Sequence, residues 1–275
     1  MYDILINTID FESWPRAAQY GTQLAGLMQA SVTGAYVYPS PLFATPSFST
    51  PELIDVLIEA ARTLEASALG AERSFIAWAN GMGVEHAAWV VGQGNLSDAL
   101  VQIACWHDLL VAERNPDRTW ATPSDLASLI LTVGLPCIVV PPRPVQAVSL
   151  SRIAIAWNGA PEVIRAVHAA LPLLKQASEV LLLRGAPNET FQEVSWKPPF
   201  DIDAYLNRHG IHARSQDLAG AERGVGEALL EQVGRFHADL LVMGAYGRSR
   251  FSEWALGGTT RHVLWNAQLP VLFRH

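Results

Sequence analysis

Between Asp239 and Trp265 the chain reads DLLVMGAYGRSRFSEWALGGTTRHVLW, and its glycines have the spacing of a loop that holds an anion. Gly244 and Gly247 follow the apolar run Leu240 to Met243, and Gly257 and Gly258 stand directly before Thr259 and Thr260. Glycine lets the backbone turn sharply and leaves no side chain between its N–H groups and a ligand. The threonines open a stretch of helical character. A helix start offers unpaired N–H groups and the positive end of its dipole, and the hydroxyls add two donors, so the composed chemistry is phosphate capture. Arg248, Arg250 and Arg261 flank the loop. His262 reads as a solvated helix residue, and Trp254 and Trp265 as core residues rather than base-stacking platforms.

The spacing excludes rival chemistries. A P-loop needs a lysine after its last glycine, and the only lysines in the chain are Lys175 and Lys197. GQGNLS, residues 92–97, begins like a dinucleotide fingerprint but places Ser97 at the third glycine position, and it reads as a strand-to-helix turn. No nucleophile elbow, metal-ligand cluster or paired carboxylates at useful spacing appear, so the chain is expected to bind rather than to catalyse, with at most slow turnover of its ligand. Cys105 and Cys137 sit in apolar runs and read as buried thiols; His107 and Asp108, being neighbours at a strand start, point apart.

The elements that must position the loop come in two copies. ILINTID from Ile4 matches IAIAWNG from Ile153, DLLVAERN from Asp108 matches DLLVMGAYG from Asp239, and LPCIVVPP from Leu135 matches LPVLFRH from Leu269. The offsets are 149, 131 and 134 residues, as a duplication with small insertions and deletions would leave them. In each copy β-branched apolar runs alternate with stretches of helical period. Helices are predicted over 14–29, 51–80, 97–106, 124–132, 161–176, 202–208, 226–236 and 259–266. The predicted fold is α/β, two tandem doubly wound five-stranded parallel sheets of Rossmann-like type, with domains 1–146 and 147–275 joined through the Pro-rich stretch 141–151. Pro-rich loops at 39–51 and 185–200 follow the second strand of each copy and read as surface loops.

The 275 residues, 50% hydrophobic and 16% charged, suit extensive burial and exclude a disordered chain. No apolar run is long enough to span a bilayer, and MYDILINTIDFE lacks the basic start and apolar core of a secretion signal, so the expected location is cytoplasmic, away from membranes. The net charge of −7 argues against a nucleic-acid partner. It is unevenly spread: residues 1–146 carry 6 basic and 14 acidic side chains, residues 147–275 carry 13 and 12, so an anion should prefer the second copy.

Gly244-x-x-Gly247, nine residues, then Gly257-Gly258-Thr259 resembles the ATP-binding signature G-x-x-G-x9-G-[S/T] of the universal stress protein family, and the flanking ADLLVMG and LPVLF are similar to that family too. The resemblance implies a tandem stress-response protein whose sheets have strand order 3-2-1-4-5 and whose second domain holds an adenine nucleotide, ATP alone or with Mg²⁺, as a regulatory ligand. On that likeness Gly244 and Gly247 approach ribose and phosphates, and Gly257, Gly258 and Thr259 take the phosphate chain, with Thr260, Arg248 and Met243 beside them. Trp157 and Asn158 stand at the end of the first strand near the adenosine. Asn158 replaces the family's aspartate and Gly258 stands at its serine or threonine position. The first domain keeps that aspartate as Asp10 but has Glu113-Arg114-Asn115-Pro116 and Ala127-Ser128 where the glycines belong, so it is expected to bind no nucleotide. Members of the family dimerise through their last strands; a tandem chain makes that contact internally, or also forms a homodimer. The alternative reading is a scaffold or signalling module without nucleotide, acting through protein contacts.

Overall fold

The computed structural model describes residues 2–40, 50–115, 123–186, 201–246 and 258–275. The chain divides into two compact units: Met1–Glu113 with Thr132–Leu135 and Pro144–Gln146, and Arg114–Leu131 with Pro136–Arg143 and Ala147–His275.

The first unit contains β1 (Asp3–Thr8), α1 (Arg16–Met28), β2 (Ser31–Tyr38), α2 (Pro51–Gly70), α3 (Glu72–Gly81), β3 (Ala87–Gln93), α4 (Leu96–Ala104) and β4 (Leu109–Glu113). Its parallel strands lie in the order β3-β2-β1-β4. The stretch 51–80, predicted as one helix, is two, because Ala71 ends α2 and starts α3. The 92–97 segment is the predicted turn: Asn95 Oδ1 accepts the N–H groups of Ser97 (2.9 Å) and Asp98 (3.4 Å) and caps α4.

The second unit contains α5 (Pro123–Thr132), β5 (Cys137–Val140), β6 (Arg152–Trp157), α6 (Pro161–Leu174), β7 (Glu179–Arg184), α7 (Ile202–Arg208), β8 (Ala213–Asp217), α8 (Val225–Arg235), β9 (Leu240–Gly244), α9 (Gly258–Asn266) and β10 (Val271–Arg274). Its strand order is β5-β10-β9-β6-β7-β8, parallel except for the antiparallel pair of β5 with β10. The second repeat therefore runs β8-β7-β6-β9-β10, the 3-2-1-4-5 order. The first repeat has 3-2-1-4 in its own unit and sends its fifth strand into the second. Pairing of the two fifth strands, Val271 opposite Val139 and Phe273 opposite Cys137, makes the pseudo-dimer contact within one chain.

The central strands are buried on both faces, which is why Leu109 to Ala112 and Leu240 to Val242 are apolar without alternation. The aspartate preceding each has a shared task. Asp108 Oδ2 accepts the N–H of Asp3 (2.9 Å) and Asp239 Oδ2 that of Arg152 (2.8 Å), so each latches the start of strand one to strand four. Arg114 ties the first repeat's extension into the second unit. Its guanidinium is buried and donates to the carbonyls of Leu264 (2.7 Å) and Ala267 (3.0 Å), at the negative end of α9. Burial lowers its pKa, yet an arginine stays charged. Cys137 is buried as expected, its thiol pushed up to about 12 by burial. Cys105, expected inside, is exposed because α4 ends at Ala104 and leaves it on the cap. Among the described residues no helix is long and apolar enough to cross a membrane.

Candidate functional site

At the carboxyl ends of β6, β7 and β9 lies a cleft of about 250 Å³. Seven of the residues singled out in the sequence line it: Trp157, Asn158, Met243, Gly244, Gly258, Thr259 and Thr260. Apolar walls come from Leu183 and Leu218, at the ends of β7 and β8, and from Val225 and Leu229 of α8. Gly247, Arg248 and Gly257, with Arg250 and Trp254, lie outside the described residues.

Each lining residue is held by a local cause. Asn158 Oδ1 accepts the N–H of Ala160 (3.1 Å), a turn made possible by Gly159 at φ +76°. Asp10 makes the same turn in the first repeat, accepting the N–H of Glu12 (2.9 Å). Gly244 is needed for packing: a Cβ there would stand 2.6 Å from the backbone nitrogen of Val163 and 2.8 Å from the carbonyl carbon of Glu162, so only glycine lets α6 approach β9 this closely. Gly258 differs, since nothing lies within 4 Å of a Cβ built on it. It is exposed at the start of α9, where the first N–H groups of a helix lack intrahelical partners.

The turn after β9 is pinned on two sides. Ala245 N–H donates to the Arg274 carbonyl (2.9 Å), and Tyr246 N–H donates to Thr260 Oγ1 (3.4 Å). Thr260 is buried, so its hydroxyl serves first as a strut and Thr259 is the better placed donor. Tyr246 sits at φ +52°, a left-handed conformation a bulky residue rarely adopts, held by these contacts. Burial pushes its phenol up to about 12. The unfolded phenol ionises near 10, so the folded state keeps its proton longer and stability falls as pH rises from about 10 to about 12. Tyr246→Phe should make the decline of melting temperature across that window shallower. An unchanged slope would count against this assignment.

Glu162, in the first turn of α6, also lines the cleft and was not signalled by the sequence, where an acid after Pro161 reads as an ordinary helix-start charge. It is only 4% exposed. Its Oε1 pairs with Arg165 (3.4 Å), while its buried Oε2 has no partner among the described residues. His262, expected on the surface, is half-buried with its ring against Gly226 of α8. Trp265, expected in the core, is 51% exposed and does not line the cleft.

In the first repeat Glu113 stands where Gly244 stands in the second, each closing strand four. Its carboxylate is buried, accepts the N–H of Ala17 (2.9 Å) through Oε2 and pairs with Arg16 (3.0 Å) through Oε1. A built-in anion thus occupies the start of α1. Among the described residues no group of three or more His, Cys, Asp or Glu is gathered to hold a metal.

The fold and this cleft define a tandem doubly wound α/β protein with a ligand site beyond the strand ends of its second repeat. Residues 150–274, which make up the second repeat, match the model of the Universal stress protein family. No curated protein matches the chain. The fold is similar to that of a universal stress protein from Archaeoglobus fulgidus DSM 4304, 14% identical with a TM-score of 0.64 over 99% of this chain and 97% of that one. It is also similar to that of a functionally unknown protein from Pseudomonas aeruginosa PAO1, 13% identical with a TM-score of 0.56 over 100% of this chain and 92% of that one.

Proposed function

We propose that the second unit binds an adenine nucleotide, ATP, as a regulatory ligand in a stress response, and that the first repeat binds none. The observation that carries this reading is the meeting of Gly258 and Thr259, at the start of a helix with open space before them, with Trp157, Asn158 and Met243 in one cleft. Donors at the start of α9 suit a phosphate chain, and the apolar side chains of Leu183, Leu218 and Leu229 suit a purine. In this reading Gly247, Arg248 and Gly257 complete the phosphate contacts. Mg²⁺ would enter only as the counter-ion of the phosphates. The first repeat is read as closed to a phosphate because Glu113 places a carboxylate at the end of its strand four, where the second repeat has Gly244.

Calorimetric titration of the full chain with ATP and Mg²⁺ tests the reading, using Gly258→Asp as the variant. The space around Gly258 and the favourable dipole at a helix start let the fold accept aspartate, while its charge repels phosphate. The expected result is an unchanged melting temperature and an affinity lower by at least about tenfold, or ~1.4 kcal/mol. Absence of binding by the wild type at millimolar ATP sinks the reading in favour of a scaffold, and an unchanged affinity in the variant removes α9 from the site.

A further inference from the structure

Each repeat buries one carboxylate at the junction of its fourth strand and first helix, but the two are in opposite states. In the first, Glu113 extends from the strand, and both its oxygens have donors, the Arg16 guanidinium and the Ala17 N–H. In the second the strand position is Gly244 and the acid comes from the helix. Glu162 packs its Cβ over Gly244, where an added Cβ would lie 2.9 Å away, and satisfies Oε1 through Arg165. Its Oε2 is buried and has no partner among the described residues, and Glu162 is one of the residues that line the cleft. An ionised oxygen left in that state is costly, and cores rarely retain one unless something else completes it.

We propose that Glu162 Oε2 is the acceptor for a hydroxyl group of the bound ligand's sugar. This rests on the nucleotide reading and deepens it. The missing partner must be a donor, because an anion would be repelled. With no second or third acid or histidine gathered around it among the described residues, a metal ion lacks the ligands it needs there. Of the groups on a nucleotide, the phosphates belong at Gly258 and Thr259 on α9, and the base belongs between Leu183 at the end of β7, Leu218 after β8 and Leu229 of α8. Glu162 lies against β9 between these two ends, where the sugar joins base to phosphate. The same carboxylate that would oppose a phosphate therefore fixes which end of the ligand enters and distinguishes ribose from deoxyribose. Asn158 Oδ1 already accepts from Ala160 N–H, whereas Glu162 Oε2 has no donor among the described residues.

The test compares ATP with 2′-deoxyATP and 3′-deoxyATP by calorimetry on the full chain. Wild type should bind ATP at least about tenfold more tightly than one of the two analogues. Glu162→Ala should bring the ratio to within about twofold, and Glu162→Gln, which keeps a neutral acceptor, should retain part of it. Both variants should melt at or above the wild-type temperature, since each removes a buried carboxylate whose Oε2 lacks a donor, and the Oε1 pair given up involves a half-exposed arginine. Binding of ATP by wild type with no preference between ribose and either deoxyribose overturns this assignment and leaves the nucleotide reading standing. An unchanged ratio in Glu162→Ala, or tighter ATP binding by that variant, overturns it in the same way. No ATP binding by wild type overturns both.

Discussion

Gly244→Ala is expected to destabilise the chain by about 3 kcal/mol, at the upper end of overpacking costs, and to lower its melting temperature by roughly 6–12 °C. The size follows from what the new methyl meets. The nearest atoms, the Val163 nitrogen at 2.6 Å and the Glu162 carbonyl carbon at 2.8 Å, belong to the backbone of α6 and cannot rotate away. The helix must lift off β9, and the contact of α6 with the central strand is lost over its whole first turn. Gly21→Ala is the control, because a Cβ there meets Ile6 Cδ1 at an equally short 2.7 Å. The next atom, Ile6 Cγ1 at 2.8 Å, also belongs to that side chain and not to backbone, so rotation of Ile6 can relieve both contacts and the expected cost is only about 1 kcal/mol. Equal losses in the two variants would show that α6 yields and that glycine at 244 serves the ligand alone. The expected inequality makes Gly244 a packing residue first, and a change of nucleotide affinity in any variant at 244 must be read with that in mind.

Glu113→Ala should cost about 2–3 kcal/mol, read as a fall in denaturation midpoint with loss of hydrogen-exchange protection in α1. Two groups lose their partner at once. The buried Ala17 N–H is left unsatisfied, and the Arg16 guanidinium loses its counter-charge. Breaking a fully buried pair costs roughly 3–5 kcal/mol. Arg16 is 28% exposed and can recover some water, which lowers the figure. The comparison with Glu162 sharpens it. Deleting the satisfied carboxylate of the first repeat should destabilise, whereas deleting the half-satisfied carboxylate of the second should not. If Glu113→Ala shifts stability by less than about 1 kcal/mol, the carboxylate is a bystander at the start of α1.

Much of this molecule was legible in its residues. The duplication, most of the strand runs and most helices carry their own periodicity, since burial on one or two faces imposes a spacing that local sequence must keep. The glycines and threonines around β9 are legible for a similar reason: a close backbone approach and a helix start demand particular residue types. What local pattern does not encode is which distant group answers each polar atom. Asp108 and Asp239 each stand directly before an apolar strand run, and only the register of strand one against strand four shows them as latches.

The sequence by itself determined two α/β repeats and a candidate phosphate loop in the second, because periodicity and glycine placement are properties of short segments. The tertiary structure alone decided that α5 and β5 of the first repeat join the second unit, that Arg114 caps α9, and that Cys105 and Trp265 face outward. It also decided that Glu113 is satisfied and Glu162 half-satisfied. Each of these depends on contacts between residues far apart in the chain, and the free energy of a buried charge depends on the partners that such contacts supply.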